Sequence, residues 1–182
     1  MSKFLQGLLT VMFTFILLTI LKGYHFLDFL HWNHITLAIP TLILVIFVQA
    51  FVMHFFIGIH HYIENIKNCV SSEENIKKYF DNPPNDLTPY IKLIDQLYSQ
   101  SQQNKRQVIP WCILLILLSM AAFLLGGAHD TGLVVKEVHA GVALGFFVAS
   151  LLAFFSQWHF LNKSNMLLRK AKSIFSLPDH LM

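Results

Sequence analysis

His34 and His54 lie twenty residues apart, and so do His139 and His159. Each pair spans most of an apolar run, with one imidazole near either end. Imidazole is a ligand for iron, copper and zinc, and an axial ligand of haem iron. Two such pairs raise the chemistry of a metal or a haem held between helices. The chain holds ten histidines in 182 residues. Three of them sit in HFFIGIHH, residues 54–61, which closes an uncharged stretch.

The elements that must position these side chains are apolar. Residues 4–21, 35–59, 108–128 and 138–160 form four long hydrophobic segments. About twenty apolar residues cross a bilayer as a helix, because a helix satisfies its own backbone hydrogen bonds where lipid offers none. Hydrophobic residues make up 55% of the chain and charged residues 13%, whereas a soluble domain carries about a quarter charged. The first segment lacks a small-x-small cleavage site in LLTILKGYHF, so it reads as an anchor rather than a signal peptide. Lys3, the six basic residues of the middle loop and Lys163, Arg169, Lys170 and Lys172 of the tail lie on one side of the resulting topology. Only Lys22 and Lys136 lie on the other. The positive-inside rule then orients the chain. The expectation is an all-α integral membrane protein built as a four-transmembrane-helix bundle in a lipid bilayer, by default a bacterial inner membrane. Both termini face the cytoplasm, with a helical cytoplasmic insertion at residues 62–107 and a basic tail at 161–182, all in one membrane domain.

Topology sorts the histidines into two levels. His25, His31, His34, His129 and His139 fall on the outer side; His54, His60, His61 and His159 fall on the inner side; His180 lies in the tail. Seven residues separate His54 from His61, about −20° on an ideal helix, so they share a face. His54 lies roughly 7–8 Å inside the apolar end at 1.5 Å per residue. The inner candidates for haem ligation are therefore His54 or His61 with His159, with Glu64 near enough to orient an imidazole. The outer haem candidates are His34 with His139. A bare metal ion would instead draw on His34, His129, His139, Asp130 and Glu137, which three helix ends bring to one depth. Twenty residues rotate an ideal helix by about 200°, so the upper and lower histidines of one helix point to opposite faces. One haem fits this pattern more easily than two, unless Pro40 bends the second helix.

Four membrane helices in under 200 residues, with histidines on the second and fourth, are similar in plan to the small bacterial membrane cytochromes b. The likeness is architectural: no contiguous motif carries it, and the first helix lacks the histidine that plan often has. It implies haem b between helices 2 and 4 and a role in electron transfer. The alternatives are a membrane protein that binds or handles copper, iron or zinc, and an accessory subunit without chemistry. The spacings do not match the histidine boxes of membrane desaturases and hydroxylases. Cys69 and Cys112 form neither a CxxC pair nor a zinc spacing, no Gly-rich phosphate loop is present, and topology accounts for the basic residues without nucleic acid.

Within the insertion, Ser71 and Glu74 read as a capping box for a short helix through Phe80, broken by residues 81–85. Thr88 and Pro89 open another helix, with Ile91, Ile94, Leu97 and Tyr98 on its apolar face. Residues 99–104, SQSQQN, read as a fraying end. Gly141, Gly145, Ala149 and Ala153 recur every four residues, a small-residue stripe suited to packing inside the bundle or to a homo-oligomer or larger membrane complex.

Overall fold

The computed structural model describes residues 2–26, 33–71 and 88–175. The chain there is all helical, without a strand among the described residues: α1 Ser2–Gly23, α2 His34–Val70, α3 Thr88–Asp130 and α4 Lys136–Phe175. All four are long and apolar enough to cross a membrane. The proposed capping box at Ser71 and Glu74, the helix through Phe80 and His31 fall wholly or partly outside the described residues.

The helices pack in a ring in chain order, α1 against α2, α2 against α3, α3 against α4 and α4 back against α1. The ends of α1 and α3 and the starts of α2 and α4 meet around one cavity, so successive helices run antiparallel. The buried residues explain the packing. In α3 they are Ile94, Leu97, Ser101, Asn104, Val108, Cys112, Leu115 and Ser119, spaced by threes and fours. In α1 they are Ser2, Leu5, Leu9, Met12 and Ile16, with the same alternation. That spacing keeps one narrow seam facing the partners, as in a coiled coil. The side chains left outside, such as Ile43, Phe47, Leu117, Leu124 and Leu152, are themselves apolar, which suits a surface in contact with lipid rather than water.

Polar side chains tie the bundle at its middle. Gln49 and Gln157 are fully buried. Gln157 Nε2 donates to Gln49 Oε1 at 2.7 Å and to Cys112 Sγ at 3.3 Å. Gln49 Nε2 donates to Met12 Sδ at 3.4 Å. Each helix contributes one member, so the layer fixes the vertical register of all four against one another.

The described parts of the insertion, residues 62–71 and 88–107, continue the long helices: residues 62–70 extend α2, and residues 88–107 form the first half of α3 without a break. Twenty residues of α3 before residue 108 extend about 30 Å at 1.5 Å per residue, and with α2 and α4 they build a stalk beyond the apolar segments. Residues 99–104 do not fray: Ser101 and Asn104 are buried in it. Asn104 Nδ2 donates to Ser164 Oγ of α4 at 3.0 Å, and Ser101 pairs with His60 Nδ1 of α2 at 3.2 Å. The polar run misleads because its inward members fall on the same seam as Ile94 and Leu97. Lys67 joins Asp95 at 2.9 Å on the stalk surface. Ile91 is exposed, while Ile94 and Leu97 are buried, so the expected apolar face packs within the chain's own stalk.

The small-residue stripe divides. Ala153 is buried, whereas Gly141 and Gly145 are exposed and a Cβ on either would meet nothing within 4 Å. Steps of four advance a helix about 40° beyond a full turn, so the stripe spirals from the outer face into the bundle.

Candidate functional site

The cavity lies at the end of the bundle opposite the stalk and has a volume of about 570 Å³, within the range of small-molecule and cofactor sites. All four helices line it. Its histidines are His25 after α1, His34 at the start of α2, His129 near the end of α3 and His139 near the start of α4.

Helix ends place these residues. Gly132 has φ +75, and its N–H donates to the His129 carbonyl at 2.9 Å while the Leu133 N–H reaches the Ala128 carbonyl at 2.9 Å. These are the two bonds of a Schellman cap, which favours glycine at the left-handed position. They end α3 one turn after Gly126 and Gly127. The end of α1 uses the same pair of bonds, His25 N–H to the Lys22 carbonyl at 3.1 Å and Phe26 N–H to the Leu21 carbonyl at 3.0 Å. There the left-handed residue is His25, at φ 65. A non-glycine residue costs about 1 kcal/mol or more in that conformation, so strain is concentrated at the rim of this cavity.

His34 and His139 face each other with ring centroids 6.5 Å apart and planes inclined at 73°. Each ring rests against a glycine of the neighbouring helix. A Cβ at Gly23 would lie 3.0 Å from His34 Cε1, and one at Gly126 would lie 3.1 Å from His139 Cε1. Both Nδ1 atoms are buried without a hydrogen-bond partner. A buried orphan of this kind costs about 1–3 kcal/mol, and both belong to residues that line one cavity. His129 lies 6.3 Å from His139 with planes at 10°. Its Nδ1 is 3.2 Å from the Val134 carbonyl. A carbonyl only accepts, so the His129 Nδ1–H donates to it.

Asp130 lines the cavity, whereas Glu137 is exposed and lies outside its lining. The five-residue donor set of His34, His129, His139, Asp130 and Glu137 is thus not gathered in one place. Among the described residues no group of three or more His, Cys, Asp or Glu converges closely enough to hold a metal ion. The inner set is not gathered either. His54, His61 and His159 are exposed and none lines a cavity with another; His61 Nδ1 is 3.2 Å from its own neighbour Glu64. The rotation of about 200° between residues twenty apart explains this: with His34 and His139 turned inward, His54 and His159 must turn outward. The buried histidine at that level is His60.

Gly23, Gly126 and the Gln49–Gln157 layer are the features that the reading of the sequence missed. The two glutamines had a visible signal, a polar residue inside an otherwise apolar run. The glycines had none until the opposing rings were placed. Comparison with family models, with curated proteins and with solved structures gives no match to this chain.

Proposed function

We propose that this chain is a membrane electron-transfer subunit of the cytochrome b kind, in which His34 and His139 would hold one haem b in the cavity. The observation that carries the reading is the pair of imidazoles, His34 and His139, that line one cavity from two different helices. A metal–imidazole bond of about 2.0–2.1 Å, added to about 1.15 Å from nitrogen to ring centre on each side, puts two opposed rings about 6.4 Å apart. The 6.5 Å between the centroids of His34 and His139 allows that spacing, as does the 6.3 Å between those of His129 and His139. Two protein ligands suffice for a macrocycle that brings four nitrogens of its own, while a bare ion in a structural or catalytic site needs three or four from the protein. Haem supplies one-electron chemistry; the residues present would hold its two faces and surround it with apolar wall.

In this reading the stalk lies in the cytoplasm and the cavity at the opposite membrane face, as the basic residues suggest. A haem held there would supply one-electron chemistry at that face, and the outward Gly141 and Gly145 offer a helix–helix contact for a partner subunit. The test is the absorption spectrum of the purified protein, oxidised and reduced, with haem counted per chain and compared with His34→Ala and His139→Ala.

A second reading has one observation in its favour. The Nδ1–H bond of His129 to a backbone carbonyl is the arrangement that orients metal-ligating histidines. A transition metal ion on His129 and His139, with His34 or Asp130, would use it. Metal analysis of the same sample separates the two: stoichiometric copper, iron or zinc without a haem spectrum selects this reading.

A further inference from the structure

One ionisable side chain of the stalk is buried at a helix–helix interface, far from the cavity. His60 stands one residue beyond the apolar segment 35–59 and is only 5% exposed. It faces α3, where its ring packs on Tyr98 with centroids 5.0 Å apart. Its Nδ1 is 3.2 Å from Ser101 Oγ. The Ser101 hydroxyl already donates to the Tyr98 carbonyl at 2.8 Å. Its oxygen is left to accept, so the His60 Nδ1–H donates to it. In the neutral ring Nε2 is bare, and it is the atom that takes the next proton. The surroundings oppose that proton. Burial pulls the pKa of His60 below its ordinary value and the Lys105 ammonium of α3 pulls the same way; Glu64 of its own helix pulls back, and His61 adds a smaller push downward. Glu64 is itself turned to His61 Nδ1 at 3.2 Å. Lys67, 4.6 Å from the centre of the same Tyr98 ring, is paired with Asp95 at 2.9 Å, so those two bring no net charge. Among the described residues no charged group of α1 or α4 acts on the ring.

We propose that His60 is an acid-sensitive latch of the stalk: neutral, it holds α2 to α3 through Ser101, and protonated, it lets them part. The latch stands independently of the haem reading. The packed stalk encloses the ring, whereas in the parted stalk the ring meets water and titrates near the ordinary value of about 6.5. A histidine whose pKa is lower packed than parted contributes its full stability above the ordinary value. That contribution is lost as the pH falls below it, and the loss levels off under the packed value. The seam that loosens is the one that buries Ile63, Ile94 and Leu97. The membrane half stays closed, because the Gln49–Gln157 pair that ties it carries no charge at either pH and keeps its bond.

The experiment follows hydrogen exchange of the full-length protein in detergent by mass spectrometry at about pH 7.5 and about pH 5.5, with each rate taken relative to the unstructured rate at that pH. Wild type should lose protection several-fold over residues 62–70 and 90–104, while residues 112–125 stay unchanged. The ceiling is about tenfold, set by one pH unit below 6.5. His60→Asn keeps a donor at the position of Nδ1 but does not titrate, and it should show no loss at the lower pH. Unchanged protection in wild type, or the same loss in His60→Asn, overturns the proposal. An equal loss over residues 112–125 overturns it too, because the acid then loosens the whole bundle. Where His60→Asn does not fold, nitrogen-15 histidine NMR of the wild type decides: His60 should carry its proton on Nδ1 at about pH 7.5 and titrate below about 6.5. A midpoint at or above that value overturns the latch.

Discussion

On the proposed haem reading, Gly126→Ala should separate cofactor binding from the fold. The new Cβ would lie 3.1 Å from His139 Cε1, whereas carbon atoms rest at about 3.5–4.0 Å. The ring must therefore retreat by about 0.4 Å or more. Metal–ligand distances tolerate about 0.2 Å, so on the proposed haem reading the shift would strain the bond from His139 to iron or lose it. Changes in the groups that orient a ligand cost about 10–100-fold in affinity, and a displacement of a few tenths of an ångström belongs near the lower end, about tenfold. The backbone effect has the opposite sign, because alanine favours a helix interior over glycine by about 0.5–1 kcal/mol. Gly127→Ala is the matched control: it lies one residue away in the same helix, and its Cβ would meet nothing within 4 Å. Haem titration and thermal unfolding in the same detergent would be run on both. Gly126→Ala should bind haem about tenfold more weakly than Gly127→Ala and be no less stable without haem. Equal haem affinity in the two variants would refute the argument that Gly126 seats a ligand.

The glutamine layer should behave as a coupled pair. Gln157→Leu leaves the Gln49 amide buried without its 2.7 Å partner and should cost about 1–3 kcal/mol, while Gln49→Leu/Gln157→Leu should recover most of that loss. A double-mutant cycle by detergent unfolding with zero coupling would contradict the layer. In the stalk, Leu97→Ala should cost about 2–5 kcal/mol because it empties a buried seam position; the same unfolding assay measures it, and a loss under 1 kcal/mol would mean that the stalk is not packed this way. His25→Gly should raise stability, by about 1 kcal/mol at most, by relieving the left-handed strain at φ 65; a loss of stability would show that the His25 side chain does more for the rim than its backbone costs. His54→Ala, His61→Ala and His159→Ala, all exposed, should retain the full haem content measured by pyridine haemochrome, in contrast to His34→Ala and His139→Ala.

Much of this architecture is legible in the sequence, for physical reasons that also set where legibility stops. A bilayer demands long uncharged helices, so the four spans stand out by length and composition alone. The opposite facing of His34 and His54 follows from helical geometry, and the structure agrees: one ring lines the cavity and the other is exposed. Residues 99–104 mislead because a buried Ser or Asn looks like a solvated one until its partner, here His60 or Ser164, is known. The pairing of His34 with Gly23 and of His139 with Gly126 depends on which helices become neighbours, which no local pattern encodes. Glu137 fails as a donor for a similar reason. It lies two residues from His139, and on a helix that is about 200° away from it.

The measurement that tests the central claim most directly is a reduced-minus-oxidised absorption spectrum of the purified full-length protein, with haem and metal counted on the same sample. The account predicts a sharp Soret band and α-band, about one haem per chain, and loss of both in His139→Ala. Protein that carries no haem, and takes up none when iron protoporphyrin IX is supplied, would contradict it.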